Sequence, residues 1–197
     1  MNPDLGNLIS FIKLTHQIRN VRRAILLETD LRKENDSEHM YQLALTAWFI
    51  IEKDKLKLDK DKVISLALVH DIVEVYTGDI PTYAAEHSSP VKSINERLAA
   101  TRLKKDFPQF KTLHELIQEY EDRQTPEAKF VYSLDKLIPV INNYLYDGRT
   151  WKKIGLDLNW LKSSKAGKIE ASSSVFTYYQ QMLKLLENNP KLFGSKK

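Results

Sequence analysis

Apolar and polar positions along this chain fall into a succession of helical periods. Leu5, Leu8, Ile9 and Ile12 share one face of residues 4–15, which predicts a first amphipathic helix. The basic run Arg19-Asn20-Val21-Arg22-Arg23 follows, and residues 20–28 read as a shorter helix or an extended segment. Asn35-Asp36-Ser37 then supplies N-cap side chains for a long helix that reaches about residue 53, with Leu43, Ala47, Ile50 and Ile51 on its apolar face. His39 sits in its first turn. Asp59 caps a third helix, which Gly78 stops and Asp79-Ile80-Pro81 turns away. Residues 82–90 read as a loop. Further helices are predicted over 91–106, 110–122 and 126–147, the third with Pro126 in its first turn. Gly148 to Lys168 scatters Gly and Ser around Trp151 and Trp160, a pattern of short helical turns and loops. A last helix covers 170–187, and a Lys-rich tail occupies 190–197. With no alternating strand, repeat or low-complexity tract, the pattern predicts an all-α single domain, a bundle of six to nine helices.

Composition changes this picture little. A chain of 197 residues, 42% apolar and 28% charged, is long enough to bury one full core. No run approaches 18 uninterrupted apolar residues, so no membrane span is expected. Met1-Asn2-Pro3-Asp4 lacks the basic-then-apolar pattern of a signal peptide. The absence of cysteine excludes disulfides, zinc-thiolate sites and a thiol nucleophile, and a cytoplasmic location fits. A net charge of +4 and a pI near 9.0 invite a nucleic-acid partner. The lysines, however, alternate with acids, as in Glu52-Lys53-Asp54-Lys55 and Asp59-Lys60-Asp61-Lys62. That is a solvated helix edge without a basic face, and it argues against nucleic acid.

The chemistry lies in polar residues placed where core belongs. Val63 to Val69 is a nearly unbroken apolar run that ends in His70 and Asp71, with Glu74 close behind. Asp135 interrupts Phe130-Val131-Tyr132-Ser133-Leu134, and His39 opens an apolar helix. Each has an ordinary structural explanation when taken singly: His70 and Asp71 as a helix-end pair, Asp135 bonded to a nearby lysine. Together, His39, His70, Asp71 and Asp135 make a nitrogen and oxygen set for one divalent cation, because buried charges are paired, hydrogen-bonded or metal-bound. Manganese, cobalt, iron, nickel, zinc or magnesium would suit it, and the residues do not choose among them. Glu74 lies one turn beyond His70, on the same face, where it can hold a water or protonate a leaving oxygen.

The order of these residues resembles the HD-domain metal-dependent phosphohydrolases. Glu34-Asn35-Asp36-Ser37-Glu38-His39, Leu68-Val69-His70-Asp71-Ile72-Val73-Glu74 and Gly78-Asp79-Ile80-Pro81 are similar to blocks of the 5'-deoxynucleotidase branch. The similarity runs from about residue 8 to residue 150 and takes in the segment from Tyr144 to Trp151. It implies an all-helical HD fold, a homodimer, and a metal held by His39, His70, Asp71 and Asp135. It also implies removal of the 5'-phosphate from nucleoside monophosphates, often the deoxy forms, with Glu74 and Asp79 beside the metal as catalytic groups and Asp79 toward the sugar. An arginine between the first helix and His39 reaches the substrate phosphate in this family. Arg22 has the most similar spacing, with Arg23 the other candidate and Arg19 and Arg32 read as solvated. Many relatives carry an aromatic residue fourteen positions before the first metal histidine, where this chain has Ile25. Of the remaining imidazoles, His16, His87 and His114, the last two are read as non-ligands, Lys136 as a partner of neighbouring acids, and Trp151 and Trp160 as core or dimer anchors. Two other readings stay open: hydrolysis of another nucleotide, such as a triphosphate or guanosine tetraphosphate, or a non-catalytic nucleotide-binding HD module.

Overall fold

Side-chain caps set the helix starts. In the computed structural model, which describes residues 2–27, 32–81, 83–84 and 90–194, Asn2 accepts from the Asp4 amide at 2.8 Å ahead of α1 (Pro3–Ile18). A short ribbon, β1 (Arg22–Leu26) and β2 (Lys33–Asn35), leads into α2 (Asp36–Asp54). There a full capping box forms: Asn35 accepts from the Glu38 amide, and the Glu38 carboxylate accepts from the Asn35 amide. Asp59 caps α3 (Lys60–Val69) by accepting from the Lys62 amide at 3.0 Å. Helices α4 (Pro90–Asp106) and α5 (Lys111–Asp122) follow. Thr125 caps α6 (Pro126–Leu145), and Pro126 fills its first turn as expected. The chain closes with α7 (Arg149–Ile154), α8 (Leu158–Ile169), α9 (Ser173–Glu187) and a 3-10 turn at Pro190–Leu192.

The fold is the expected helical one, with three local departures. The ribbon is a strand pair where no alternation was evident; Arg22 pairs with Asn35 and Leu26 with Lys33, antiparallel. Its inward side chains mix Ile25 with the charged Arg23 and Glu34, Arg23 Nε lying 3.5 Å from buried Glu34 Oε2, so no regular apolar alternation marks the strands. Helix α3 does not run on to Gly78. It gives way at His70 to tighter turns, with Ile72 N bonded to Val69 O and Glu74 N to Asp71 O, before a single helical turn at Glu74–Thr77. Gly78, at φ +74°, then ends that turn. Finally, 158–169 is a regular helix, capped by Asp157, whose buried positions are Leu161, Lys165 and Ile169. A lysine in the middle of the buried face hid its period. The expected loop over 82–90 and the tail beyond 194 lie largely outside the described residues, as does His87.

The main core joins α2, α3, α6, α8 and α9 through Leu43, Leu66, Phe130, Leu134, Tyr179 and Leu186. A smaller cluster, including Leu14, Leu103, Phe107 and Leu113, seats α1, α4 and α5. Each such side chain stabilises the fold by roughly 1.5–3 kcal/mol on burial. Trp151 is buried and stacks on Phe193 with ring centroids 4.8 Å apart, so it serves the core and is not a surface anchor. Among the described residues no helix is long and apolar enough to cross a membrane. The first turn of α2, the end of α3 and the middle of α6 meet at one point.

Candidate active site

That meeting point is polar. His39, fully buried in the first turn of α2, puts Nε2 2.9 Å from Asp135 Oδ1. His70, at the C-cap of α3, puts Nε2 3.8 Å from the same oxygen and 3.0 Å from Asp71 Oδ2. The turn after Val69 swings Asp71 round to this position. His39, His70 and Asp135 come within metal-ligand spacing of one another, and Asp71 stands beside His70 in an adjoining group with Asp36 and Glu74. The other oxygen of Asp135 is committed elsewhere: Tyr120 donates its hydroxyl proton to Oδ2 at 3.0 Å, and Lys136 donates at 2.6 Å. Pro139 lies four residues on in α6, where it has no N–H to offer the Asp135 carbonyl.

The geometry suits a cation. His70 Nδ1 lies 3.0 Å from the Ala67 carbonyl and can only donate to it, which leaves Nε2 to turn its lone pair inward. His70 Nε2 and His39 Nδ1 are buried without a hydrogen-bond partner, as are Glu34 Oε2, Asp36 Oδ2 and Glu74 Oε2. Unsatisfied buried atoms in this number are what a bound ion or ordered water would satisfy. Burial pushes the His39 imidazole down to about 4, with Arg23 adding to the effect, so it is neutral at pH 7, the form that ligates metal. Burial also opposes ionisation of Asp71 and Asp135. The neighbouring His70 and Arg23 nevertheless hold Asp71 well below the carboxylate range, and Lys136 and the histidines do the same for Asp135.

A second acidic group stands beside the first. Asp36, Asp71 and Glu74 each turn an oxygen toward a shared point. Arg23 ties this group together, with Nη1 2.7 Å from Asp71 Oδ2 and 3.1 Å from Asp36 Oδ1. Burial, then the Asp71 and Asp36 charges, raise Glu74 well above the usual range, and burial lifts Asp36 and Glu34 to about 7. Burial raises Asp79 as well, with Arg23 opposing. Glu74 thus sits with the carboxylates and not on the histidine face that helical spacing suggests, because the chain is not a helix between His70 and Glu74.

A model of the HD domain matches residues 15–176. The chain belongs to the HD-domain family. Its relatives include the 5'-deoxynucleotidase HDDC2 of Bos taurus, 35% identical over 144 residues that cover 72% of this chain and 68% of the relative. The protein of the same name from Homo sapiens is 34% identical, over 72% and 69%. A crystal structure from Magnetospirillum magnetotacticum, of a predicted metal-dependent phosphohydrolase, is 29% identical with a TM-score of 0.82, covering 97% of this chain and 96% of that one.

A cleft of about 320 Å³ opens beside this centre and reaches Asp71 and Asp135, with the two histidines buried behind them. Asp71, Glu74, Asp79 and Asp135 line its acidic end, and Arg23 reaches in beside them. Ile25, Pro139, Val140, Trp151, Trp160 and Leu161 make an apolar wall. Of the two arginines proposed for phosphate, Arg23 faces this cleft. Arg22 is exposed on the other side of β1, lining a shallower opening that also reaches Glu74 and Asp79. Arg32 clasps Glu38 through two bonds at the surface. His114 bonds the Phe107 carbonyl, His16 is exposed on α1, and Lys136 pairs with Asp135 as expected. Glu34, Asp36 and Tyr120 are the site residues that sequence reasoning missed. In sequence Asp36 is one of several cap candidates; Asn35 and Glu38 do the capping, which leaves a buried aspartate at that helix start free for the site.

Proposed function

We propose that this chain is a metal-dependent phosphohydrolase that removes the 5'-phosphate from nucleoside monophosphates, deoxynucleotides among them. His39, His70, Asp71 and Asp135 would hold one divalent cation. The observation that carries this reading is the buried cluster of His39, His70 and Asp135, with Asp71 beside His70, behind a cleft that Asp71 and Asp135 line. The names of the relatives, 5'-deoxynucleotidase and metal-dependent phosphohydrolase, support it.

A bound cation would polarise a phosphoryl oxygen and acidify a water. The chain's own groups account for the rest of the hydrolysis. Water attacks phosphorus, the P–O5' bond breaks, and the leaving oxygen takes a proton, giving a nucleoside and inorganic phosphate. Glu74, kept protonated by burial beside Asp71 and Asp36, is suited to give that proton. Arg23 fixes Asp71 and Asp36 in place and offers positive charge to the phosphate. Asp79 faces the sugar, and the wall of Ile25, Trp151 and Trp160 takes the base. Tyr120 and Lys136 hold Asp135 by one oxygen, so that the other turns to the histidines.

The test is phosphate release from a panel of mono- and triphosphates with manganese, cobalt or magnesium, against a metal-stripped control. Release of phosphate from dAMP that returns only with added metal supports the proposal; no release with any metal refutes it. In a cytosolic setting the enzyme would act as a homodimer. Its partner face would be the exposed stripe Tyr41, Leu45, Trp48 and Phe49 on α2, apolar side chains at 45–65% exposure. Light scattering that gives a monomer mass at micromolar concentration would exclude the dimer.

A further inference from the structure

Two buried asparagines follow one another on α6, and their hydrogen bonding differs. Asn142 is engaged at both ends: Gln42 Nε2 donates to its Oδ1 at 3.0 Å, and its Nδ2 donates to Gln42 Oε1 at 2.8 Å and to Glu34 Oε1 at 3.3 Å. Asn143, only 3% exposed, is engaged at one end. Its Nδ2 donates to the Pro139 carbonyl at 2.9 Å. A carbonyl only accepts, so that contact fixes which end of the amide is which. Oδ1 is left buried without a hydrogen-bond partner. Among the described residues, the other buried side-chain atoms in this condition are Ser133 Oγ and atoms of the histidines and carboxylates at the metal end. An unpaired buried acceptor works against folding, so a ligand that brings it a donor is favoured there.

Asn143 lines the cleft beside Pro139 and Val140 of the apolar wall. Thr150, another buried polar residue of this lining, accepts from the Leu26 amide at 3.1 Å and is already partnered. Asp135, Pro139 and Asn143 succeed one another every fourth residue and so share one side of α6. Asn143 therefore stands about 12 Å along the helix axis from Asp135. That is close to the length of a nucleoside 5'-monophosphate from its phosphate to the outer edge of its base. We propose that Asn143 reads the base, its Oδ1 accepting a hydrogen bond from the exocyclic amine at the outer edge of adenine or cytosine. This rests on the phosphohydrolase reading above and names the nucleotides it favours. Hypoxanthine and uracil carry a carbonyl oxygen at the same position. Two acceptors then face each other away from water, and neither gains a proton. The apolar wall receives the faces of all four bases alike and does not make this choice.

The experiment compares kcat/KM for dAMP with dIMP and for dCMP with dUMP, using the full chain with manganese. The expected result is a preference of about tenfold for the amino base in one or both pairs, the scale of a hydrogen bond lost with its acceptor left unpaired. A preference in one pair alone shows which ring reaches Asn143. Asn143→Leu keeps the size of the side chain and removes the acceptor, and it should bring the ratios close to one. Loss of the Pro139 contact alone would lower all four substrates together and leave the ratios where they were, and that result would make Asn143 structural. Should Asn143→Leu fail to fold by circular dichroism, the ratios of the parent and of Asn143→Ala decide in the same way. Ratios near one for both pairs in the parent overturn the contact. Absence of turnover on all four would instead count against the function itself, and the contact is then read from calorimetric binding of dAMP and dIMP to the manganese-loaded chain.

Discussion

Leu134 and Asp135 are neighbours on α6, both buried, and they face two different interiors. Leu134 belongs to the apolar core with Leu43, Leu66 and Phe130, where every contact is between shapes that fill space. Asp135 faces two imidazoles, a lysine and a tyrosine hydroxyl, in a region where several polar atoms have no partner. The first interior stabilises the fold. The second costs stability and is ready for chemistry, since unpartnered buried polar groups cost about 1–3 kcal/mol each. One helix carries both by changing face at a single residue.

The sharpest way to break this contrast is at Asp135 itself. Asp135→Asn should remove stoichiometric metal and lower turnover by roughly 10³-fold or more, with the fold retained, since a metal centre supplies several kcal/mol to the transition state. Asp71→Asn should behave alike. Elemental analysis that still finds one metal ion per chain in either variant would remove that residue from the ligand set.

One residue earlier the outcome should invert. Leu134→Ala empties space in the main core and should cost about 2–5 kcal/mol. For a chain of this length that is a fall of roughly 5–15 °C in Tm. Metal content and turnover per folded molecule at low temperature should remain near those of the parent. A large loss of metal affinity would mean that the two interiors are not separable.

These two neighbours also show what the sequence discloses. Leu134 sits in an apolar helical period and Asp135 breaks it, so both roles are legible from pattern alone. So are the caps at Asn35, Asp59 and Thr125, because a helix start needs a side-chain acceptor and few residue types provide one. The ribbon is not legible, since two of its inward positions, Arg23 and Glu34, are charged and face each other at 3.5 Å, which leaves Ile25 without an alternating apolar pattern around it. Lys165 hides α8 in the same way. The carboxylate cluster was half hidden: Glu74 stands out, but Asp36 and Glu34 look like helix-start residues until α6 and β1 are packed against them. Tyr120, on an ordinary amphipathic helix, gives no local sign that its hydroxyl reaches Asp135.

A smaller change sharpens the contrast from the polar side. Glu74→Gln should keep the metal and lower turnover by about 10²-fold, the usual scale for losing a general acid or base. It should also raise Tm slightly, because an unpartnered buried carboxyl beside Asp71 and Asp36 works against folding. The same logic fixes a pH dependence for the metal-stripped protein. Glu34 and Asp36 rise from ordinary values of 4.5 and 3.8 to about 7 in the fold, so the folded state binds more protons than the unfolded state between them. Stability from these groups is present at low pH and is lost as pH rises through about 7. His39, shifted down to about 4, and Lys165, lowered to about 7, oppose this, while Glu74, raised well above its ordinary value, acts with Glu34 and Asp36. Thermal melts of the metal-free protein should give a lower Tm at pH 7.5 than at pH 5.5. A rise instead would mean that these acids keep their charge without metal.

The smallest effect is expected where the two interiors meet substrate, at Ile25. This side chain lines the same cleft as Asp79; in the proposed function Asp79 would crowd the 2' position of a sugar whose 5'-phosphate sits at the metal end. Crowding by a carboxylate disfavours a ribose hydroxyl, so dAMP should be preferred over AMP. Ile25, buried in the same cleft, is smaller than an aromatic ring and not planar, so in the proposed pose the sugar has room to shift away from Asp79. One missing wall is worth only about 1–3 kcal/mol of discrimination. Ile25→Trp should therefore raise the dAMP to AMP ratio of kcat/KM by roughly 5- to 100-fold, while kcat for dAMP changes little. A parent enzyme that prefers AMP would mean that the sugar does not lie against Asp79. A ratio unmoved by the tryptophan would mean that Ile25 closes the cleft without touching the sugar.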